Sequence, residues 1–543
     1  MSNFFSQRRR GAKFFIKYPF FILVIFCNFL IAQQSNIPLN REIIISLDSI
    51  LNSVDVPFHT NIKPYLKSQV CEYYNYNSFI YGTPSDKKKS LLYRKLFRES
   101  FIVIDSSDYH LTIDPLFNLE LGKDFKGSSK SYLYKNTRGI LVRGDLGKKF
   151  SFESSFYENQ ATFPDYISDF IETYKVVPGQ GRVKAFKGNA YDFAMASGYI
   201  SYSPNNHFNF QIGHGKHFIG DGYRSLLLSD NAFNYPYLRV SSTFGKFQYT
   251  NIYTSFMNLG GGTKSGSSEL LYQKKSASFQ LLSWNIHKRI QLGLFQGMIW
   301  QAANQRNEQN LNFYYFNPII LTNFVRYSLN DDNNILLGLN IKVKINNFLL
   351  YSQLMYDDIV KDWMPGSLNN KSGWQIGVKY NSSFSNQIIE FNRVRPYSYS
   401  HLNPEQSYTH YNQTLAHPLG ANFDEIIYIA NIRFGNVVFQ YKAIIAMIGT
   451  DLIGENYGSN IFSSNNTAIY GTSPINQLKQ GNYTSLKYMD FSLRYLLNPS
   501  TNLNVIAGII FRSEFNNKTL FLMGSNFIYV GIRTSLSNVY MDF

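Results

Sequence analysis

The sequence predicts an all-β protein: a transmembrane antiparallel β-barrel of about 18 strands with a small N-terminal helical segment. Three observations predict it. The first is period two. In His207–Gly213, Phe208, Phe210 and Ile212 fall on one face, while His207, Asn209, Gln211 and Gly213 fall on the other, as in a strand with one apolar and one wet side. The second is the rhythm of the connections. Pro204-Asn205-Asn206 makes a short turn, 214–235 a long one rich in Gly and aromatics, and Gly245 a short turn again. This is the alternation of periplasmic turns and outer loops. The third is composition. With 41 Tyr and 46 Phe, aromatics reach 17%, enough to furnish girdles at two lipid–water boundaries. A mean hydropathy of −0.22 suits a wall half lipid-facing and half wet.

At 543 residues the chain could hold several soluble domains or one large barrel. After residue 32 no run of about 18 apolar residues occurs, so no mature helix is long enough to span a bilayer. Residues 1–32 read as an export signal peptide: basic Arg8, Arg9, Arg10, Lys13 and Lys17, apolar Phe20 to Leu30, then cleavage after Ala32. A retained anchor is the other reading, for which the apolar stretch is short. Loss of the leader's five basic residues takes the net charge from +16 to about +11. That balance suits lipopolysaccharide phosphates or anionic glycans, and equally plain solubility. The charges are spread out and no binding motif accompanies them, which excludes nucleic acid. Cys71 is the one cysteine left after cleavage, so no intramolecular disulfide is expected, and the thiol reads as buried and inert.

Residues 33–106 read as a helical segment at the periplasmic mouth or partly inside the barrel, and 107–543 as the barrel. Ile43, Ile44, Leu47, Ile50, Leu51 and Val54 recur at helical spacing. Ser85 caps a second helix carrying Leu91, Leu92, Leu96 and Phe97, with Lys and Arg on its other face. The segment could simply brace or plug the wall.

Strands begin at Tyr109. Arg138 to Leu146 and Lys149 to Tyr157 form a hairpin across Gly147-Lys148, and its charges, Arg143, Asp145 and Glu153, face a wet lumen. Residues 161–188 are an outer excursion with a short helix over 164–174 and a Pro178-Gly179 turn. Hairpins follow at 275–300, and then strands at 335–345, 348–356, 373–383, 387–394, 425–434 and 437–448. Between Asn317 and Asp357 the up–down parity does not close. The last strands alternate clearly: Met489, Phe491 and Leu493 against Asp490, Ser492 and Arg494, then Ile528, Val530 and Ile532 against Tyr529, Gly531 and Arg533. Phe543 after such a strand reads as a terminal assembly signal.

Two loops collect chemistry-bearing residues. In 213–225, glycines alternate with His214, Lys216, His217, Asp221, Tyr223 and Arg224. The Lys-Ser/Thr ending and following helix of a phosphate loop are missing. A metal on His214 and His217 lacks a third ligand by spacing. The loop reads either as a polysaccharide contact or as a Gly-rich fold into the lumen pinned by Arg224–Asp pairs. In 395–424, Arg395, Tyr397, Tyr399, His401, Tyr408, His410, Tyr411 and His417 interleave rings with polar groups, which suits sugar stacking and suits ordinary loop packing equally. Asp357, Asp358 and Asp362 could hold calcium or simply be solvated. No Gly-x-Ser-x-Gly elbow, zinc His pair or paired-carboxylate motif is present, so neither an enzyme nor a cofactor is predicted.

The pieces AYDFAMASGYISYSPNNHFNFQIGHGKHFIGDGYRSLLLSD, NFYYFNPIIL, LLYSQLMYDD, EFNRVRPYSYSH and YTHYNQTLAHPLGANFDE resemble the capsule-assembly Wzi-type outer-membrane barrels, and more closely their gliding-motility RemB-like members. The resemblance covers about residues 40–450. It implies an 18-stranded barrel with periplasmic helices, a place in the cell outer membrane, and a surface role in holding exopolysaccharide or supporting gliding. It also implies lipopolysaccharide, extracellular polysaccharide and gliding or secretion machinery as partners. A porin-like channel for small solutes is the competing expectation.

Overall fold

The computed structural model describes residues 34–52, 56–74, 76, 89–128, 132–259, 272–301, 316–322, 333–357, 371–466, 477–518 and 521–543. The leader 1–32, the Ser85 cap, Asp358, Asp362 and most of the Gly/Ser stretch after Leu259 lie outside the described residues.

A closed antiparallel barrel forms the wall. Its eighteen strands are β1 Tyr109–Asp124, β2 Leu133–Leu146, β3 Phe150–Ala161, β4 Ala190–Tyr202, β5 Phe208–Gly215, β6 Tyr235–Phe244, β7 Phe247–Asn258, β8 Gln273–His287 and β9 Ile290–Gln301. The second half is β10 Asn334–Ile345, β11 Phe348–Asp357, β12 Lys371–Asn381, β13 Ser385–Val394, β14 Phe423–Phe434, β15 Val437–Thr450, β16 Asn482–Asn498, β17 Leu503–Asn516 and β18 Phe521–Arg533. β18 closes on β1 from Phe527↔Asp124 to Arg533↔Asn118. Below that seam the short strand Ile102–Asp105 continues the pairing with β1, Ile102↔Ile113 to Asp105↔His110.

The alternation read from the sequence is a real partition of faces. On β5, Phe210 and Ile212 point out and Ile212 is 69% exposed, while Asn209 and Gln211 are buried. Leu121, Ile376, Ile389 and Val530 are exposed in the same way, whereas Lys342, Glu390 and Arg494 are buried on the inner face. In water each such apolar side chain would forgo about 1.5–3 kcal/mol of burial, and a ring of them would not persist. Against lipid the arrangement is the stable one.

The lumen is filled by four pieces of the same chain. Helix α1, Arg41–Leu51, is capped by Asn40, whose side chain accepts from the backbone N–H of Glu42 (2.9 Å) and Ile43 (3.3 Å). It buries Leu47 and Leu51 against Ile37, Phe58, Tyr65 and Val70, the last from helix α2, Lys67–Cys71. Lys379 on β12 bonds Asp48 at 2.5 Å, and Arg433 on β14 donates to Ser46 at 2.8 Å, so α1 sits at the short-turn end. The connections 216–234 and 395–422 fold inward and share one apolar core with the inner faces of β7–β9, including Leu226, Leu228, Phe256, Phe279, Phe295 and Tyr408. The tail 534–543 turns back into the lumen after β18. Outside the wall, helix α3, Leu91–Phe97, sits at the barrel rim. Helix α4, Asp165–Tyr174, spans the excursion between β3 and β4.

Three expectations are corrected. The parity gap arises because the described residues 316–322 form no wall strand. They lie against the outer face of β7–β9: Tyr253 Oη donates to the Phe316 carbonyl at 3.0 Å, Gln280 Nε2 to that of Asn317 at 2.6 Å, and Leu321 N to Gln296 Oε1 at 2.8 Å. Apolar residues there cover polar positions of the wall instead of extending it. Phe543 does not end the last strand, which stops ten residues earlier at Arg533. Cys71 is half-buried, not buried. Helix α3 itself starts after Ser90, whose Oγ accepts from Tyr93 N at 3.4 Å.

Candidate functional site

The Gly-rich connection after β5 is built by close approach. A Cβ on Gly222 would stand 2.4 Å from Glu390 Oε2, and one on Gly220, whose φ is +126°, would stand 2.3 Å from Gln353 Nε2. Only glycine lets the backbone reach the wall here. The reward is hydrogen bonding: Tyr223 N and Arg224 N donate to the two Glu390 oxygens at 2.7 and 3.0 Å.

Arg224 is fully buried between two carboxylates. Its Nη1 lies 3.0 Å from Asp542 Oδ1, and its Nη2 lies 3.1 Å from Glu425 Oε1. Asp542 also receives Lys442 at 2.8 Å and the Tyr223 hydroxyl. Glu425 is bonded in turn by His417 Nε2 at 2.6 Å. Burial alone would raise the Asp542 pKa, but Arg224 and Lys442 outweigh it and hold the carboxyl well below its usual range. Arg41 of α1 lies over the Tyr223 ring at 3.7 Å and over Tyr540 at 4.5 Å, stitching α1, loop and tail together.

The other candidates are held by protein as well. Asp221 accepts from Thr60 Oγ1 at 2.5 Å. Lys216 donates to the Gly179 and Asp230 carbonyls at 2.7 and 3.2 Å. His217 packs edge-on to Tyr237 at 4.5 Å with its Nδ1 3.3 Å from the Tyr235 hydroxyl. His214 is half-buried, its Nδ1 3.2 Å from the Ala196 carbonyl, so the two histidines do not converge. Among the described residues no three His, Cys, Asp or Glu side chains gather as a metal site. In the second loop His410 Nδ1 accepts from Met257 N at 3.1 Å and its Nε2 faces the Asn234 carbonyl at 3.1 Å, the pattern of a neutral ring. Tyr397 donates to the Asn456 carbonyl at 2.9 Å, and Arg395 is half-buried beside it.

The two loops grip each other. Tyr399 and Tyr408 donate to the carbonyls of Leu226 and Leu227 at 2.8 and 2.7 Å, and Ser229 Oγ to that of Ala416 at 2.5 Å. The sequence reading missed Glu390, Glu425 and Asp542 as Arg224's acceptors. The inward parity of Glu390 in NQIIEFNRV was a usable signal, but nothing local points to Asp542. Asp357 accepts from Tyr399 N at 2.5 Å, a loop contact. Beside the packed core a cavity of about 350 Å³ remains, lined by α1, the tail and the inner faces of β1–β3 and β14–β18.

Comparison with solved structures matches this architecture. Wzi, an outer membrane protein involved in group 1 capsule assembly in Escherichia coli and described as a carbohydrate-binding β-barrel, superposes with a TM-score of 0.55 at 10% identity, over 93% of this chain and 100% of that one. The fold is shared. OprD of Pseudomonas aeruginosa (TM-score 0.42, 10% identity, 78% and 96% covered) and OccAB2 of Acinetobacter baumannii (0.42, 11%, 78% and 97%) are more distant. No family model and no curated protein sequence matches the chain.

Proposed function

We propose that the protein is a non-enzymatic barrel of the cell outer membrane, exported by its leader, that supports attachment of exopolysaccharide or capsule, or gliding movement, at its long-connection end. One observation carries the reading: the lumen is packed by an apolar core joining loops 216–234 and 395–422 to the wall. A wall suited to lipid whose interior is occupied by its own chain has its working surface outside. The RemB-like sequence pieces and the carbohydrate-binding description of the Wzi barrel support the same reading.

On this reading Lys216, His217, Asp221, Tyr223, Arg224, Tyr397, His410 and His417 hold the loop surface from beneath, and the half-buried His214 and Arg395 stand nearest a bound polymer. Basic surface residues meet lipopolysaccharide phosphates, and gliding or secretion machinery engages the same barrel. The test is the split of polysaccharide between cells and medium in a strain lacking the gene. Polysaccharide moving into the medium supports attachment; an unchanged split sinks it.

The residual cavity of about 350 Å³ favours a second reading, passage of small solutes. Conductance in liposomes separates the two.

A further inference from the structure

We propose that α3 and the strand after it form a foot that rests in the lipid leaflet at the short-turn end of the barrel, with Lys89 at the phospholipid phosphates. The helix is inside-out for water. Leu92 is 72% and Leu91 67% exposed, and Leu96 is exposed beside them. The charges turn the other way: Arg94 Nε bonds Glu99 at 2.6 Å, Lys95 lies 3.3 Å from the same carboxylate, and Lys95 Nζ also donates to the Ser100 carbonyl at 3.0 Å. A water-facing helix presents the opposite faces.

That orientation is imposed by the barrel. Asn498 Nδ2, at the β16–β17 turn, donates to the Lys95 and Glu99 carbonyls at 3.1 and 3.0 Å. Ser500 Oγ donates to the Arg98 carbonyl at 2.6 Å, and Phe101 N to Asp114 Oδ1 on β1 at 2.8 Å. Four bonds to the rim hold Leu91, Leu92 and Leu96 outward. The apolar surface then runs on without a break in chemistry: Phe101, Ile102 and Ile104 are exposed, and so are Leu493, Tyr495 and Val505 on the outer wall next to the same turn. It therefore extends the lipid-facing belt past the end of the strands. Lys89, exposed just before the Ser90 cap, lies over the Tyr93 ring. Lysines beside an apolar helix face are the composition of an interfacial helix on phosphate headgroups.

The experiment is site-directed spin labelling of the full-length protein in phospholipid vesicles. Leu92→Cys and, separately, Leu96→Cys are labelled in a Cys27→Ser, Cys71→Ser background, with Ile212→Cys as the wall control. Collisions with molecular oxygen report lipid, and collisions with a water-soluble nickel chelate report water. The foot requires both helix positions to shift toward the oxygen-rich, nickel-poor response of position 212, more so in phosphatidylglycerol than in phosphatidylcholine. Strong nickel collisions at 92 and 96 would place the helix in water and overturn the proposal. Protection from both reagents would overturn it too, by showing protein cover, whether from residues 77–88 or from a partner.

Discussion

Arg224 and Asp542 stand 318 positions apart in the chain and meet inside the barrel at 3.0 Å, both side chains at most 2% exposed. One comes from a connection at the long-loop end and the other from the tail beyond the last strand. Their contact, shared with Glu425 and Lys442, joins the bonds from Asn538 and Tyr540 to Asp230 in fastening loop and tail into one filling.

Removing the cation leaves Asp542 and Glu425 buried with too little compensation. Arg224→Met is expected to cost about 3–5 kcal/mol in urea unfolding of the detergent-solubilised barrel. Asp542→Asn costs less, because Glu425 still faces Arg224. The double variant should lose less than the sum of the two. Strict additivity would mean that the pair is not coupled.

Glycines of the same loop should respond unequally. A Cβ on Gly222 meets Glu390 and the Arg224 carbonyl within 2.8 Å, whereas one on Gly215 meets only a Tyr237 ring carbon at 3.5 Å. Gly222→Ala is expected to cost about 1–3 kcal/mol by overpacking. Gly215→Ala should stay within about 0.5 kcal/mol of the parent. Equal losses would contradict the close-approach account.

Acid should loosen the filling in two windows. Burial holds the His410 ring down to about 3, from an ordinary value of 6.5. The unfolded chain takes that proton first, so the stability it underwrites falls as pH drops from 6.5 toward 3. For Glu42 of α1, burial pushes the pKa up, but Arg494 and Arg533 outweigh it and hold it down to about 2, below 4.5. Its contribution is present above pH 4.5 and is lost as pH falls toward 2. Hydrogen exchange should therefore rise in 395–422 at higher pH than in 41–51. The reverse order would refute this assignment.

The tail should act as a stopper. Tyr540 and Asp542 line the residual cavity. In planar bilayers the intact protein is expected to carry no steady large current, and a variant lacking 534–543 to conduct measurably more. A large steady current from the intact barrel would instead favour the channel reading.

Period two made the wall legible because lipid and lumen impose opposite demands on alternate side chains. Phe210 and Ile212 against Asn209 and Gln211 needed no tertiary knowledge. Helix α1 was legible for a similarly local reason, apolar residues at helical spacing. The parity between Asn317 and Asp357 stayed open because the stretch 316–322 covers the wall instead of continuing it, and both roles call for apolar residues. The inward turn of α3's charges was hidden because it depends on Asn498 and Ser500, four hundred positions away, pulling its backbone onto the rim.

By itself, then, the sequence determined the barrel class, the faces of its strands and the motif residues of the two loops, since each depends on neighbours a few positions apart. Only the tertiary structure decided that those loops point inward and that Arg224 is spent on Asp542 and Glu425. Buried charges take whichever partners the closed wall brings within reach, and no local pattern encodes a contact across 318 residues.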